Sequence, residues 1–171
     1  PEQYTLHRWL AWAYAEKGEY QHSYDHSKEL FDALEKNKER ATYPSDYDYW
    51  GKAAFKLGLI DEAAHIYRKY LELDPSRSLE INGMLAKGYF DAKNYEQAAK
   101  YYLLKGAEKP LSVADNYYLG LSYFYMDQNV KSDSVFIKVL EVTPDYAPGW
   151  MMRARVGNRM DTAETKLFLA K

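Results

Sequence analysis

His22 and His26 stand four residues apart, the spacing that puts two imidazoles on one helix face within reach of a single metal ion. No third residue of ligand type completes a set beside them, so the pair reads as helix surface or partial core. His7 and His65 are isolated, with no nucleophile placed by the sequence to work with either. The acidic pairs Asp61-Glu62 and Asp46 with Asp48 fall where helices are expected to begin. There a carboxylate meets the positive end of the helix dipole, a simpler role than general acid and base. Glycines occur singly, with no phosphate-cradling loop, and cysteine is absent, which removes thiolate chemistry and disulfides. These residues support no enzyme, no cofactor and no metal.

The elements that carry them follow a cadence. Gly51, Ala63, Tyr67 and Pro75 are matched by Ala86, Ala98, Tyr102 and Pro110, and again by Gly120, Ser132, Phe136 and Pro144. In each pass a second small residue follows the first by 12 positions, an aromatic by 16 and a proline by 24. The prolines thus recur about every 34 residues, the period of a solenoid built from helix-turn-helix units. Stretches such as Asp46 to Leu57 and Asp61 to Leu73 are too short to persist as isolated helices and must be held by neighbours. Small residues at Ala11, Gly51, Ala86, Gly120 and Ala154, and at Ala63 and Ala98, let two helices cross closely. Tyr67, Tyr102 and Phe136 fill the space beyond, which absorbs many of the 18 tyrosines. Asp61 is expected to cap its helix, and the prolines to end each second helix.

This pattern resembles the tetratricopeptide repeat, W-x2-L-G-x2-Y…A-x3-F…P. Trp50-Gly51 with Ala54, Leu85-Ala86 with Tyr89, and Leu119-Gly120 with Tyr123 fill its first segment in three copies. Leu10-Ala11 with Tyr14, then Gly18 and Tyr20, open a divergent copy that has Ser23 and Ser27 in place of alanine and an aromatic. Trp150 and Ala154 open a fifth. The resemblance implies an all-α, right-handed superhelical solenoid of antiparallel helix pairs. It forms one domain over 1–171, with repeats at about 4–43, 44–78, 79–112, 113–146 and a partial 147–171. Gly18 corresponds to Gly58 at a spacing of 40, so the first unit is lengthened by about six residues, with Glu35 to Arg40 as a solvated helix end and loop. A turn is expected at Asp161-Thr162, leaving only Thr165 to Lys171 for a last helix. The start at Pro1 without an initiator methionine and this open end lead us to expect a piece of a longer repeat array. The segment Thr143 to Trp150 is similar to repeats of bacterial cell-envelope proteins, which points toward the periplasm.

Function under this resemblance belongs to the concave face, lined by the first helix of each repeat. Its slots fall on Arg8 and Trp12; on Asp48, Lys52, Phe55 and Lys56; on Glu80, Lys87 and Phe90; on Tyr117, Leu121, Phe124 and Tyr125; and on Met151 and Arg155. The trough is aromatic throughout, and aromatic and arginine side chains are those that most often anchor partners. Lys52 and Lys87, at equivalent slots, are placed to read charge on an extended chain. A clamp for C-terminal carboxylates, known in the family, is not expected, because its first lysine and asparagine slots hold Arg8 and Trp12, the next asparagine slot Tyr49, and two slots expected to be basic Glu80 and Met84. The expected partner is therefore another protein or peptide, bound by other means. The alternatives are a structural or self-associating module, through the uncapped last repeat, and an accessory domain of an enzyme encoded elsewhere. A net charge of −2 gives no field for nucleic acid, and no apolar run is long enough to enter a membrane.

Overall fold

The structure is a computed structural model and describes residues 3–36 and 41–169, with side chains described between Tyr4 and Asp161. Residues 37–40, most of the charged run expected to be a loop, lie outside the described residues. The described residues form only helices and turns. In order these are α1 (Gln3–Lys17), α2 (Tyr20–Lys36), α3 (Pro44–Lys56), α4 (Ile60–Leu73), a short 3-10 turn (Pro75–Arg77), α5 (Ser78–Asp91), α6 (Tyr95–Glu108), α7 (Val113–Tyr125), α8 (Asn129–Val142) and α9 (Ala147–Leu169).

The paired helices are joined by one recurring turn. Gly18, Gly58, Lys93 and Asp127 all adopt positive φ, at 78°, 80°, 60° and 57°. The residue after each donates its N–H to a carbonyl five positions back: Glu19 to Tyr14, Leu59 to Ala54, Asn94 to Tyr89 and Gln128 to Tyr123, at 2.9–3.0 Å. This left-handed C-terminal cap satisfies the orphan carbonyls of the first helix and reverses the chain into the second. Glycine adopts that conformation freely; Lys93 and Asp127 do so at a cost. Four positions on, the N–H groups of Ser23, Ala63, Ala98 and Ser132 donate to the carbonyls of Glu19, Leu59, Asn94 and Gln128. All four of these small residues are fully buried.

Packing explains why the slots need small residues. A Cβ on Gly51 would lie 2.9 Å from the Tyr67 ring, and one on Gly120 would lie 2.8 Å from the Phe136 ring. The aromatic sixteen positions on thus lies directly against the glycine. Where the second slot holds serine, the hydroxyl is satisfied across the helix pair: Ser23 Oγ donates to the Ala11 carbonyl at 2.8 Å, and Ser132 Oγ to that of Gly120 at 2.9 Å. Serine therefore replaces alanine without leaving a buried polar group unpaired.

By contact the chain divides into two compact units, Pro1–Ile81 and Asn82–Lys171, the division falling inside α5. In the first unit α1 to α4 enclose Ala11, Ala15, Leu30, Leu34, Ala53 and Ile66. The Tyr24 hydroxyl of α2 donates to Glu62 of α4 at 2.7 Å, and burial together with that carboxylate pushes the phenol up to about 12. In the second unit Tyr89 of α5 stacks on Tyr101 of α6 at 5.5 Å, and Phe124, Phe136, Met152 and Val156 join α7, α8 and α9 in one core. Ser112 and Asp115 form a reciprocal capping box at the start of α7.

Three local expectations are corrected. Asp61 does not cap α4: the cap position is Leu59 and the helix begins at Ile60, so Asp61 sits in the first turn. The turn expected at Asp161-Thr162 is absent, because α9 runs unbroken from Ala147 to Leu169. No glycine or proline stands there to take a left-handed turn or interrupt the hydrogen-bond ladder. As a consequence Ala154, read as a close-crossing slot, is exposed.

Candidate functional site

In the first unit α1 and α3 bring aromatic and charged side chains to one surface. Trp9 and Trp12, three apart on α1, meet edge to face at 5.6 Å and remain 61% and 41% exposed. With Arg8, Ser45 and Tyr49 they line a shallow cleft of about 210 Å³. Arg8 is committed to holding this corner together. Its Nε and Nη2 donate to the two carboxylate oxygens of Asp46 at 2.7 and 2.9 Å, and Nη2 also reaches the Ala41 carbonyl. Its guanidinium lies 4.7 Å from the centre of the Tyr43 ring. Asp46 is buried, and its carboxylate also accepts the Tyr43 N–H at 2.9 Å, which starts α3. Asp48 pairs with Arg77 at 2.9 Å, and Arg77 in turn forks onto Glu80, holding the Glu80 carboxyl below its ordinary range. Lys52 pairs loosely with Glu16 at 4.0 Å and is half exposed, and Phe55 is half-buried. Burial, then the carboxylates of Asp48 and Glu16, raise the Tyr49 hydroxyl, which therefore stays protonated as a donor at the cleft.

In the second unit the surface is a chain of rings. Phe90 of α5 touches Tyr118 at 4.9 Å and Tyr95 at 5.5 Å, and Tyr95 stacks on Tyr125 at 4.6 Å with planes 21° apart. Tyr125 is 50% exposed at the end of the series. Lys87 donates to Asp91 one turn on and places its ammonium 5.2 Å from the Tyr118 ring centre. Tyr117 and Leu121 are partly buried and pack on the Phe124–Phe136–Met152–Val156 core. Phe124 is itself buried, with the Arg159 guanidinium 3.6 Å from its ring centre and donating to its carbonyl at 2.8 Å. Met151 and Arg155 are exposed on α9.

Of the residues singled out by sequence, the structure thus places Trp12 and Lys52 on the open surface of the first unit, and Lys87 and Phe90 in an accessible ring cluster of the second. It places Arg8 and Asp48 in ion pairs, and Phe124 in the core. Trp9, Tyr95 and Tyr118 complete the two aromatic surfaces and were missed. The Trp9–Trp12 spacing of three was a readable signal, since it puts both indoles on one helix face. Tyr95 lies at the start of a second helix, outside the first-helix slots, and carried no such signal.

The histidines come together differently from the metal spacing. His26 Nδ1 lies 3.1 Å from His7 Nδ1, and Tyr14 stacks on the His26 ring and meets that of His22 at a tilt of 32°. Burial first, and then His7, hold His26 below its ordinary pKa. Among the described residues no group of three or more histidine, aspartate or glutamate side chains is arranged to hold a metal, and no helix is long and apolar enough to cross a membrane.

Comparison with known proteins bears on the fold. The tetratricopeptide repeat family model matches residues 51–77. No curated protein matches the chain. Among solved structures it is similar to the C-terminal part of a TPR repeat-containing protein from Cytophaga hutchinsonii, at 26% identity and a TM-score of 0.64. That match covers 94% of this chain, which spans only 60% of the other. MamA from Desulfovibrio magneticus RS-1 aligns at 21% identity, a TM-score of 0.62, and 96% and 89% coverage of the two chains. MamA of strain AMB-1 aligns at 17% identity with a TM-score of 0.66, covering 95% and 85%. At such identities the MamA likeness establishes the architecture alone, an all-α solenoid of paired helices.

Proposed function

We propose that this chain, whose residues 51–77 match the tetratricopeptide repeat, is a non-catalytic scaffold that binds a peptide or helix of a partner protein on the surfaces its first helices present. The carrying observation is the exposure of large aromatic side chains there. Trp9, Trp12 and Tyr125 keep about half of their surface in water and are not part of the buried core. Rigid amphipathic rings of this kind, with arginine, supply most of the energy in protein interfaces. Lys52 and Lys87, on α3 and α5, are each paired with a carboxylate of this chain, Glu16 and Asp91, so an acidic partner segment would compete with those pairs.

The test is affinity capture from a lysate of the source cells, with the parent protein beside a Lys87→Glu/Phe90→Ala variant and bound proteins identified by mass spectrometry. The reading expects a partner held by the parent and lost by the variant, whose circular dichroism stays helical. Identical captures by both would reject it. One observation favours a second reading, self-association through the last helix: Trp150 and Met151 are half-exposed on α9, next to exposed Ala154. Sedimentation showing a concentration-dependent dimer that Trp150→Glu abolishes would support it.

A further inference from the structure

The second unit carries a groove of about 740 Å³ that the first-helix surface does not include. Its floor and walls are Leu103 and Ala107 of α6, Leu119 and Tyr123 of α7, and Val130 and Val142 of α8. On α7 the residues facing this groove, 116, 119 and 123, lie roughly 130° around the helix from Tyr117, Leu121 and Phe124, so the two surfaces are distinct. Val130 and Val142 are 72% and 73% exposed, an unusual investment of β-branched apolar side chains in contact with water.

Two observations define what fits. Two of the polar groups in the groove are already engaged: the Asn116 amide donates to the carbonyls of Leu111 and Ser112, and the Ser134 hydroxyl to that of Val130. An extended segment would bring unpaired backbone groups into this apolar surface, at a cost of a few kcal/mol each. A helix satisfies its own backbone and pays none of this. From Val130 to Val142 the groove runs about 18 Å, the length of a three-turn helix. The charges lining it are both positive, Lys131 and Lys138, and neither meets a carboxylate among the described residues. They stand one above the other about 10.5 Å apart along α8, two helical turns.

We propose that this groove docks an amphipathic α-helix of a partner protein, whose apolar face lies on Leu103, Val130 and Val142 and whose flank carries two acidic residues seven positions apart to meet Lys131 and Lys138. Helix capture here is independent of peptide binding on the first helices, so either can fail without the other.

The experiment is selection of phage-displayed random peptides about 16 residues long, enough for the three-turn helix and its ends, on the parent chain. Binders are then synthesised and their affinity measured by fluorescence anisotropy. The expected outcome is enrichment of helical peptides with Asp or Glu at i and i+7. Their binding would be abolished by Val130→Glu/Val142→Glu, weakened by about tenfold in Lys131→Glu/Lys138→Glu, and unchanged in Lys87→Glu/Phe90→Ala. All the substituted groove side chains are solvent-facing, so far-ultraviolet circular dichroism should match the parent for each. A selection that yields no binder, or only binders that Val130→Glu/Val142→Glu leaves intact, overturns the proposal. Binders lost with the valines but indifferent to the lysine reversal would overturn its acidic half.

Discussion

Replacing Arg8 with leucine removes one partner from an ion pair whose other member has nowhere to go. The Arg8 side chain is 23% exposed and that of Asp46 is fully covered, with bidentate contacts of 2.7 and 2.9 Å. Two unit charges at about 4 Å in a medium of effective dielectric about 20 attract by about 4 kcal/mol, and deleting one partner of a buried pair costs about 3–5 kcal/mol. Arg8 is partly wet, so water enters the vacated site and reduces the cost to about 2–3 kcal/mol. In a repeat array each unit is held by its neighbours, so the loss should appear as local opening of α1 to α3 rather than global melting. Native-state hydrogen exchange should accelerate in those helices by roughly 30- to 150-fold, while α6 to α8 keep the parent's protection. Asp46→Asn added to Arg8→Leu should recover part of the loss, because the asparagine still accepts the Tyr43 N–H but buries no charge. Parent-like exchange in α1 to α3, or a loss spread evenly over all helices, would refute the reasoning and return Arg8 to the set of free binding residues.

Other outcomes follow from the same geometry. Lys93→Gly, at a left-handed position exposed to solvent, should stabilise the chain by about 0.5 kcal/mol, the relief of backbone strain slightly exceeding the entropy glycine adds to the unfolded chain; urea titration reads it. Ala98→Trp, at a fully buried crossing, should cost about 3 kcal/mol or more by overpacking, whereas Lys36→Ala on the exposed end of α2 should change stability by less than about 0.5 kcal/mol. The depressed pKa of His26 means that below the ordinary value of 6.5 the unfolded chain takes up a proton that the folded chain refuses. Stability should therefore fall as pH drops through about 6.5, and His26→Phe, which keeps a ring against Tyr14, should flatten that slope in thermal melts.

Much of the fold was legible because its determinants recur. Gly51 against Tyr67 and Gly120 against Phe136 are contacts between residues of fixed spacing, so three repetitions declare them. The prolines marked the helix ends for an equally local reason. What stayed hidden depended on residues far apart in sequence or on conformations the residue type does not advertise. Nothing local announces that Arg8 turns to Asp46, 38 positions on. Lys93 and Asp127 adopt the turn conformation that Gly18 and Gly58 mark openly. The absent turn near Asp161 shows the converse limit: repeat phase predicted a break where the local sequence holds no residue that makes one. On the candidate surfaces, the first-helix slots named Trp12, Lys87 and Phe90, while Tyr95 and Tyr118 meet Phe90 only through tertiary packing.

The most direct test of partner binding by the first helices is site-specific photo-crosslinking in the source cells. A benzophenone amino acid would replace Trp9 or Tyr125 on the aromatic surfaces, or exposed His65 on α4 as a control. The account predicts a discrete crosslinked product with another protein from Trp9 or Tyr125 and none from His65. Equal crosslinking from all three positions, or products from His65 alone, would contradict it.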